Sequence, residues 1–265
     1  MSDLWRRYLA QQIELGGAEI VLGAPPAPEN EMPLENKPAR MELTADRAEG
    51  AEPRWKKGAP PVPGPGLAIR SPAPVLLGND LSALSTIDAV AERIRTTYCC
   101  DLCPHRTNAV PGEGSAESGL MLVGEGPGAT EDATGRPFVG QAGQLLDSIL
   151  DAIEVPRQKV YITNIVKCRP PQNRKPLPDE IAACLPYLHR QLELIRPKVI
   201  LALGGTAGEA LLGARKSLGE LRGKVHTYNG TPLLVTYHPA ALLRNPNWKK
   251  PTWDDVRIAR QLLDR

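Results

Sequence analysis

Residues 120–166 read LMLVGEGPGATEDATGRPFVGQAGQLLDSILDAIEVPRQKVYITNIV. The stretch opens on an apolar run, turns at GEGPG, carries a helical pattern in AGQLLDSILDAI and closes on a second apolar run, VYITNIV. A strand, a helix and a second strand in that order form a βαβ unit, which predicts an α/β fold with a mainly parallel sheet. The alternation continues outward from it. PDEIAACLPYLHRQLELI is helical in pattern, and KVILALG and PLLVTYH are strand-like. Val199–Leu203 and Leu233–Val235 are apolar without alternation, as strands covered by helices on both faces must be.

Ligands in open α/β sheets bind beyond the carboxyl ends of the strands. Three of these ends carry polar or glycine-rich chemistry: GEGPG at 124–128, Asn164 in YITN, and His238 in YHP. A site is expected where they converge. GEGPG is neither GxGxxG leading into a helix nor a P-loop, because no Gly-Lys-Ser/Thr follows, so nucleotide phosphate binding is set aside. By itself it reads equally as a tight turn.

The chain has 265 residues, 42% hydrophobic and only 4% aromatic, with 27 prolines. That is enough apolar material for one core beside a segment that packs poorly. APPVPGPG and RSPAP place the poorly packing part in residues 1–80, expected to be a Pro-rich, largely flexible extension with one short amphipathic piece around Trp5–Leu15. A helical pattern over residues 80–97, with Ser85 or Thr86 as N-cap, opens the domain expected over 81–265. The formal charge of +2 assigns any nucleic-acid contact to local basic loops rather than to a global field. No apolar run reaches the ~18 residues that a membrane helix needs, and the start lacks the pattern of a secretory signal. The expected location is cytoplasmic, with no membrane contact.

Five cysteines, an odd number, argue against a disulfide framework and for metal or redox chemistry. Cys100 and Cys103 form a CxxC, and Cys168 and Cys184 lie far downstream. Four such thiolates serve either a structural zinc or an iron–sulfur cluster; Cys99 is the spare, and beside Cys100 it is the alternative for that ligand. Phe138 is the only phenylalanine and sits in GRPFVG, where it either offers a flat face for stacking a base or plugs the edge of the core. His238 ends a strand and is followed by Leu242, Leu243 and Arg244. Apolar wedges beside a basic residue are what entering a base stack requires.

Taken together, GEGPG, the following ED with GRPFVG and AGQLL, YITNIVKCRPP and HPAALLRNP closely resemble the family 4 uracil-DNA glycosylases, the iron–sulfur branch of that superfamily. The likeness covers residues 98–265 in unbroken order. It implies a three-layer fold, a four-stranded mainly parallel sheet between helices, and a monofunctional N-glycosyl hydrolase that takes uracil out of DNA and leaves an abasic site for base excision repair. It implies a 4Fe-4S cluster on Cys100, Cys103, Cys168 and Cys184, acting as a structural staple. Phe138 would stack on the extruded uracil, Gly126 would lie against it, Asn164 would bond its amide edge, and His238 would bond O2 as charge develops there. Glu125 is the candidate carboxylate near the sugar, Asp132 is next, and Glu131 matches the motif less well. Leu242, Leu243 and Arg244 would fill the gap left by the flipped base, and Lys167, Arg169 and Arg174 are candidates for phosphate contacts.

The branch of the superfamily that crosslinks to its product carries a KRRIH-like insert after the position of Cys168. This chain reads CRPPQNRKPLPDE there, which implies turnover instead of capture. The partner expected is uracil-containing DNA, single- or double-stranded, met by a monomer, with the Pro-rich region able to recruit a protein. Two other readings compete: a cluster-bearing nucleic-acid-binding protein that has lost catalysis, and an electron carrier. The first needs damaged site residues, and the second leaves Phe138 and HPAALLRNP unexplained.

Overall fold

The structure, a computed structural model, describes residues 52–70, 75–76 and 79–265. The expectations for residues 1–51, including the amphipathic piece and any partner-recruiting role, lie outside the described residues.

The strands are β1 (Pro65–Ile69), β2 (Val75–Leu76), β3 (Asn79–Asp80), β4 (Leu120–Gly124), β5 (Tyr161–Asn164), β6 (Val199–Leu203), β7 (Val225–Tyr228) and β8 (Thr231–Thr236). Six of them form one sheet in the order β1-β7-β8-β6-β4-β5, while β2 and β3 make a separate two-stranded ribbon. The helices are α1 (Ile87–Thr96), α2 (Ala129–Thr134), α3 (Gln141–Ala152), α4 (Pro178–Ile195), α5 (Gly205–Leu212), α6 (Leu218–Leu221), α7 (Pro239–Arg244) and α8 (Lys249–Leu263). α1 is capped by Thr86, whose hydroxyl accepts from the Ala89 amide at 3.1 Å.

Alternate residues of the central strands point to opposite faces, and both faces are dry. Met121, Val123, Ile200, Ala202 and Val235 pack against Leu188 and Leu192 of α4 and Leu211 of α5. Leu120, Leu122, Ile162, Leu201 and Leu234 pack against Leu146 and Leu150 of α3 and Val256 and Ala259 of α8. This double burial is why the strands read as unbroken apolar runs.

Two expectations change. The sheet has six strands, not four. The parallel centre β8-β6-β4-β5 is the expected set; β7 pairs antiparallel with β8 through a two-residue Asn229-Gly230 loop, and β1 pairs parallel with β7. β1 also lies inside residues 1–80, and the compact unit begins at Glu52. The cause is local anchoring. Trp55 is 1% exposed with the Arg260 guanidinium over its ring, and α8 donates side-chain hydrogen bonds to the carbonyls of Lys57 and Pro60.

Candidate active site

The parallel register aligns Gly124 with Asn164 and Leu203 with Thr236, so the three predicted strand ends meet at one edge. They border a cavity of about 350 Å³ lined by Glu125, Gly126, Phe138, Asn164, His238 and Arg244, among others.

Asn164 ends β5 and is 1% exposed, yet its Oδ1 has no hydrogen-bond partner among the described residues. A buried unsatisfied amide oxygen costs about 1–3 kcal/mol, and its presence at a cavity wall marks a place for a donor from a ligand. Phe138 lies against it because Gly124 carries no side chain: a Cβ there would come within 2.4 Å of Asn164 Oδ1 and 2.6 Å of Phe138 Cζ. Phe138 is 5% exposed and packs with the α3–α8 face of the core, so it both plugs the core edge and presents its ring to the cavity. Its ring lies 5.4 Å from that of His238, tilted by 29°.

His238 caps α7: its Nδ1 accepts from the Ala240 amide at 3.1 Å. That bond leaves the proton of the neutral imidazole on Nε2. Burial pushes its pKa down to about 4, the nearby Arg244 charge acts in the same direction, and Glu131 opposes. The side chain is therefore a neutral donor at ordinary pH. Its strand is pinned behind it, where Thr236 donates to Asp255 Oδ2 at 2.6 Å and Arg222 holds the same oxygen at 2.7 Å.

The three acidic candidates separate. Glu125 lines the cavity. Glu131 also borders it, but its carboxylate is engaged: Oε2 accepts from the Gly128 amide, and Oε1 from those of Val139 and Gly140. It latches the GEGPG loop to the Phe138 loop. Asp132 is buried and accepts from the backbone of Thr107 and Asn108, a structural anchor with no place on the cavity wall.

The family model of the uracil DNA glycosylase superfamily matches residues 111–259. The chain belongs to that superfamily. Among curated proteins it is 45% identical over 189 residues to a type-4 uracil-DNA glycosylase of Saccharolobus solfataricus, covering 68% of this chain and 88% of the relative. A type-4 uracil-DNA glycosylase of Thermotoga maritima is 47% identical over 183 residues, covering 68% and 95%. One from Pyrobaculum aerophilum is 51% identical over 160 residues, covering 56% and 81%. The chain thus sits in the type-4 branch of the uracil-DNA glycosylases, as the sequence motifs imply.

Against that family background, the expected wedge is corrected. Leu242 is 1% exposed and belongs to the interior, whereas Leu243 is 47% exposed. Successive residues of the short helix α7 are turned by about 100°, which carries Leu242 into the interior and leaves Leu243 and Arg244 exposed. Lys167 is corrected as well. It is 1% exposed, and its Nζ donates to Thr163 Oγ1, the Asn164 carbonyl and Gln191 Oε1 at 2.7–2.8 Å. Burial lowers its pKa to about 7, opposed by Cys184 and Cys168. It braces the Asn164 backbone from behind and cannot reach a phosphate. Arg174 pairs in bidentate fashion with Glu180 at 2.6 and 2.9 Å, and Arg169 donates to Asn173.

All five thiols gather at one place. Cys103 Sγ lies 3.5 Å from Cys168, 3.8 Å from Cys100 and 3.9 Å from Cys99, and Cys99 lies 4.0 Å from Cys184. Three ligand atoms, from Cys99, Cys100 and Cys103, fall within 4.8 Å of one another. Arg106 donates to Cys168 Sγ at 3.2 Å, a cation placed to offset thiolate charge. A soft, mostly buried sulfur set of this kind suits a metal centre. Proximity draws Cys99 in beside Cys100 rather than leaving it apart.

Sequence reading took Gly124 as part of a turn and passed over its close approach to Asn164 and Phe138, and it passed over the latch role of Glu131. The spacing Gly128-x-x-Glu131 at a helix start was the available signal for the latch. It also passed over Arg157 and Glu113, which no motif marks.

Proposed function

We propose that this chain is a monofunctional uracil-DNA glycosylase that hydrolyses the N-glycosidic bond of deoxyuridine in DNA and leaves an abasic site. The observation that carries the reading is the unpartnered, buried Asn164 Oδ1 beside Phe138 and the Nε2–H of His238. Uracil presents an N3–H donor to such an oxygen, whereas cytosine presents an acceptor at N3 and would leave two oxygen and nitrogen lone pairs opposed. Membership of the type-4 branch supports the same substrate.

A uracil cannot reach this cavity from within a duplex and must be flipped out, at a cost of a few kcal/mol. Stacking on Phe138 and the bond to Asn164 offset part of that cost. Leu243 and Arg244 are placed to occupy the space left behind. The N1–C1′ bond then breaks with its electron pair leaving on uracil, and water adds to C1′. Negative charge collects at O2, where the neutral His238 Nε2–H strengthens its hydrogen bond. Glu125 serves the other side, as the carboxylate that faces the cationic sugar and the attacking water. Gly126 leaves room for the base at the loop.

Under the same reading the thiol group holds a 4Fe-4S cluster on Cys100, Cys103, Cys168 and Cys184. Bound there, it would tie the chain around Cys100 to the loop after β5 and to α4. Cys168 directly precedes the segment whose Pro170, Asn173 and Arg174 border the cavity, so the staple supports one wall. Among the described residues no helix is long and apolar enough to cross a membrane, and the reading puts the protein on DNA as a monomer in the cytoplasm.

The test is a labelled oligonucleotide with one uracil, single-stranded or opposite G or A, incubated with protein and then treated with alkali. Breaks at uracil, absent with Glu125→Gln and His238→Ala, are expected. No breaks from protein with its metal centre intact would sink the reading.

A further inference from the structure

Phe138 has φ 50°, a left-handed conformation that costs a residue with a side chain about 1–2 kcal/mol. Such a residue persists only where its surroundings over-determine it. Here the main restraint is Arg157, 16% exposed at the side chain. Its Nη1 donates to the Phe138 carbonyl at 3.0 Å and its Nη2 to the Pro137 carbonyl at 2.6 Å. The guanidinium is itself held by Glu113 Oε1 at 2.7 Å and Asp147 Oδ1 at 2.8 Å. Glu113 also binds Arg136, at 2.8 Å.

The far end of this chain of contacts is the informative one. Glu113 bridges to Ile162 of β5, each amide donating to the other's carbonyl at 2.9–3.0 Å. Two residues along the same strand is Asn164. The ring that would stack on the base and the amide that would read its edge are therefore both referenced to β5, one directly and one through Glu113 and Arg157. On the opposite side, Gly143 of α3 lets the Phe138 carbonyl lie where it does: a Cβ at that position would stand 1.9 Å from it.

We infer that Arg157 and Glu113 form a clamp that fixes the Phe138 ring against Asn164 and so sets the affinity of the cavity for a planar pyrimidine. Arg157 is a positioning residue, and the inference rests on the reading of this cavity as a uracil site. A guanidinium suits the role because two donors in a rigid plane can serve two successive carbonyls, which an ammonium cannot do with the same geometry. Burial disfavours the Glu113 carboxylate, yet hydrogen bonds from Arg136 and Arg157 hold its pKa below the usual carboxylate range, so the clamp stays charged near neutrality.

The experiment measures inhibition of excision by free uracil, binding to uracil-free DNA of the same length, and thermal midpoint, for wild type, Arg157→Ala, Arg157→Lys, Glu113→Gln and Gly143→Ala. Misplacing a positioned group by about an ångström can lose up to a hundredfold. The expected result is that Arg157→Ala and Gly143→Ala each weaken free-uracil inhibition about tenfold or more, with uracil-free DNA bound as before, while Arg157→Lys recovers part of the loss. Gly143→Ala forces the Phe138 backbone itself to shift, since a Cβ there meets its carbonyl oxygen at 1.9 Å; Glu113→Gln, which keeps the shape of the clamp and removes its charge, carries the test if Arg157→Ala does not fold, with a loss in the same direction expected. An active wild type with free-uracil inhibition unchanged in Gly143→Ala and Glu113→Gln would overturn the clamp. A wild type that neither excises uracil nor is inhibited by it would overturn the underlying reading instead.

Discussion

The cavity and the thiol site are built by different means. The cavity residues stand at the ends of β4, β5 and β8 or one or two positions beyond, so the parallel register itself brings Glu125, Asn164 and His238 together. The thiols come from a loop, a strand exit and the middle of α4, and no strand pairing joins Cys100 and Cys103 to Cys168 and Cys184. Geometry fixed by a sheet is available before any ligand arrives. Geometry spread over loops needs a bond of its own, and a metal centre supplies one. The difference teaches that chemistry and support should be separable by mutation.

The largest effect is expected in the cavity. Removing a donor aimed at developing charge typically costs 10²–10³ in rate, so His238→Ala should lower single-turnover uracil release by about that factor with its thermal midpoint nearly unchanged; a loss below about tenfold would take His238 out of the chemistry. At the thiol site the signs reverse. Cys100→Ser should lose bound iron and the visible absorption of a cluster and should melt at lower temperature, whereas Cys99→Ser should keep both. A Cys99→Ser protein that lost its iron would exchange the roles of the two neighbours.

Adjacent leucines sharpen the same contrast. Truncating a buried leucine costs about 2–5 kcal/mol, which Leu242→Ala should show in denaturant unfolding. Leu243→Ala should leave stability alone and slow excision from duplex several-fold more than from single strands, since flipping is cheapest where no stack is broken. Equal effects on the two substrates would remove the wedge role.

The smallest effect is in pH. A histidine whose folded pKa is pushed below its ordinary value of about 6.5 opposes protonation. The stability it confers is present above that value and is lost as pH falls toward about 4. The His238 contribution to excision should therefore persist between about pH 7 and pH 5. An acid limb of the wild type near pH 6.5 that is missing from His238→Gln would contradict the neutral, half-buried imidazole.

What the sequence made legible follows the same division. The four central strands announced themselves because both faces are buried; strand-end motifs then pointed to Glu125, Asn164 and His238, and the GRPFVG loop to Phe138, four residues that line one cavity. β1 was hidden because PGLAI is a half-exposed edge strand in a proline-rich stretch, held by its pairing with β7 and by the Leu67 amide, which donates to His226 Nδ1. β7 was short, and its Asn229-Gly230 turn, a hairpin signal, went unused. Leu242 and Leu243 look alike in sequence, and only packing tells which one faces inward. Lys167 looked like a surface cation in KCRPP, but three acceptors bury it. Arg157 and Glu113 act through backbone carbonyls, which leave no trace in residue spacing.

The central claim is that the strand-end cavity performs the excision and the thiol site holds it in place. Single-turnover uracil release by Cys100→Ser, taken at low temperature where its circular dichroism matches that of wild type, should be set beside the release by His238→Ala. The account predicts that the cysteine variant stays within about tenfold of wild type while the histidine variant falls by about 10²–10³. A folded Cys100→Ser protein that is inert, beside a His238→Ala protein that remains active, would contradict it.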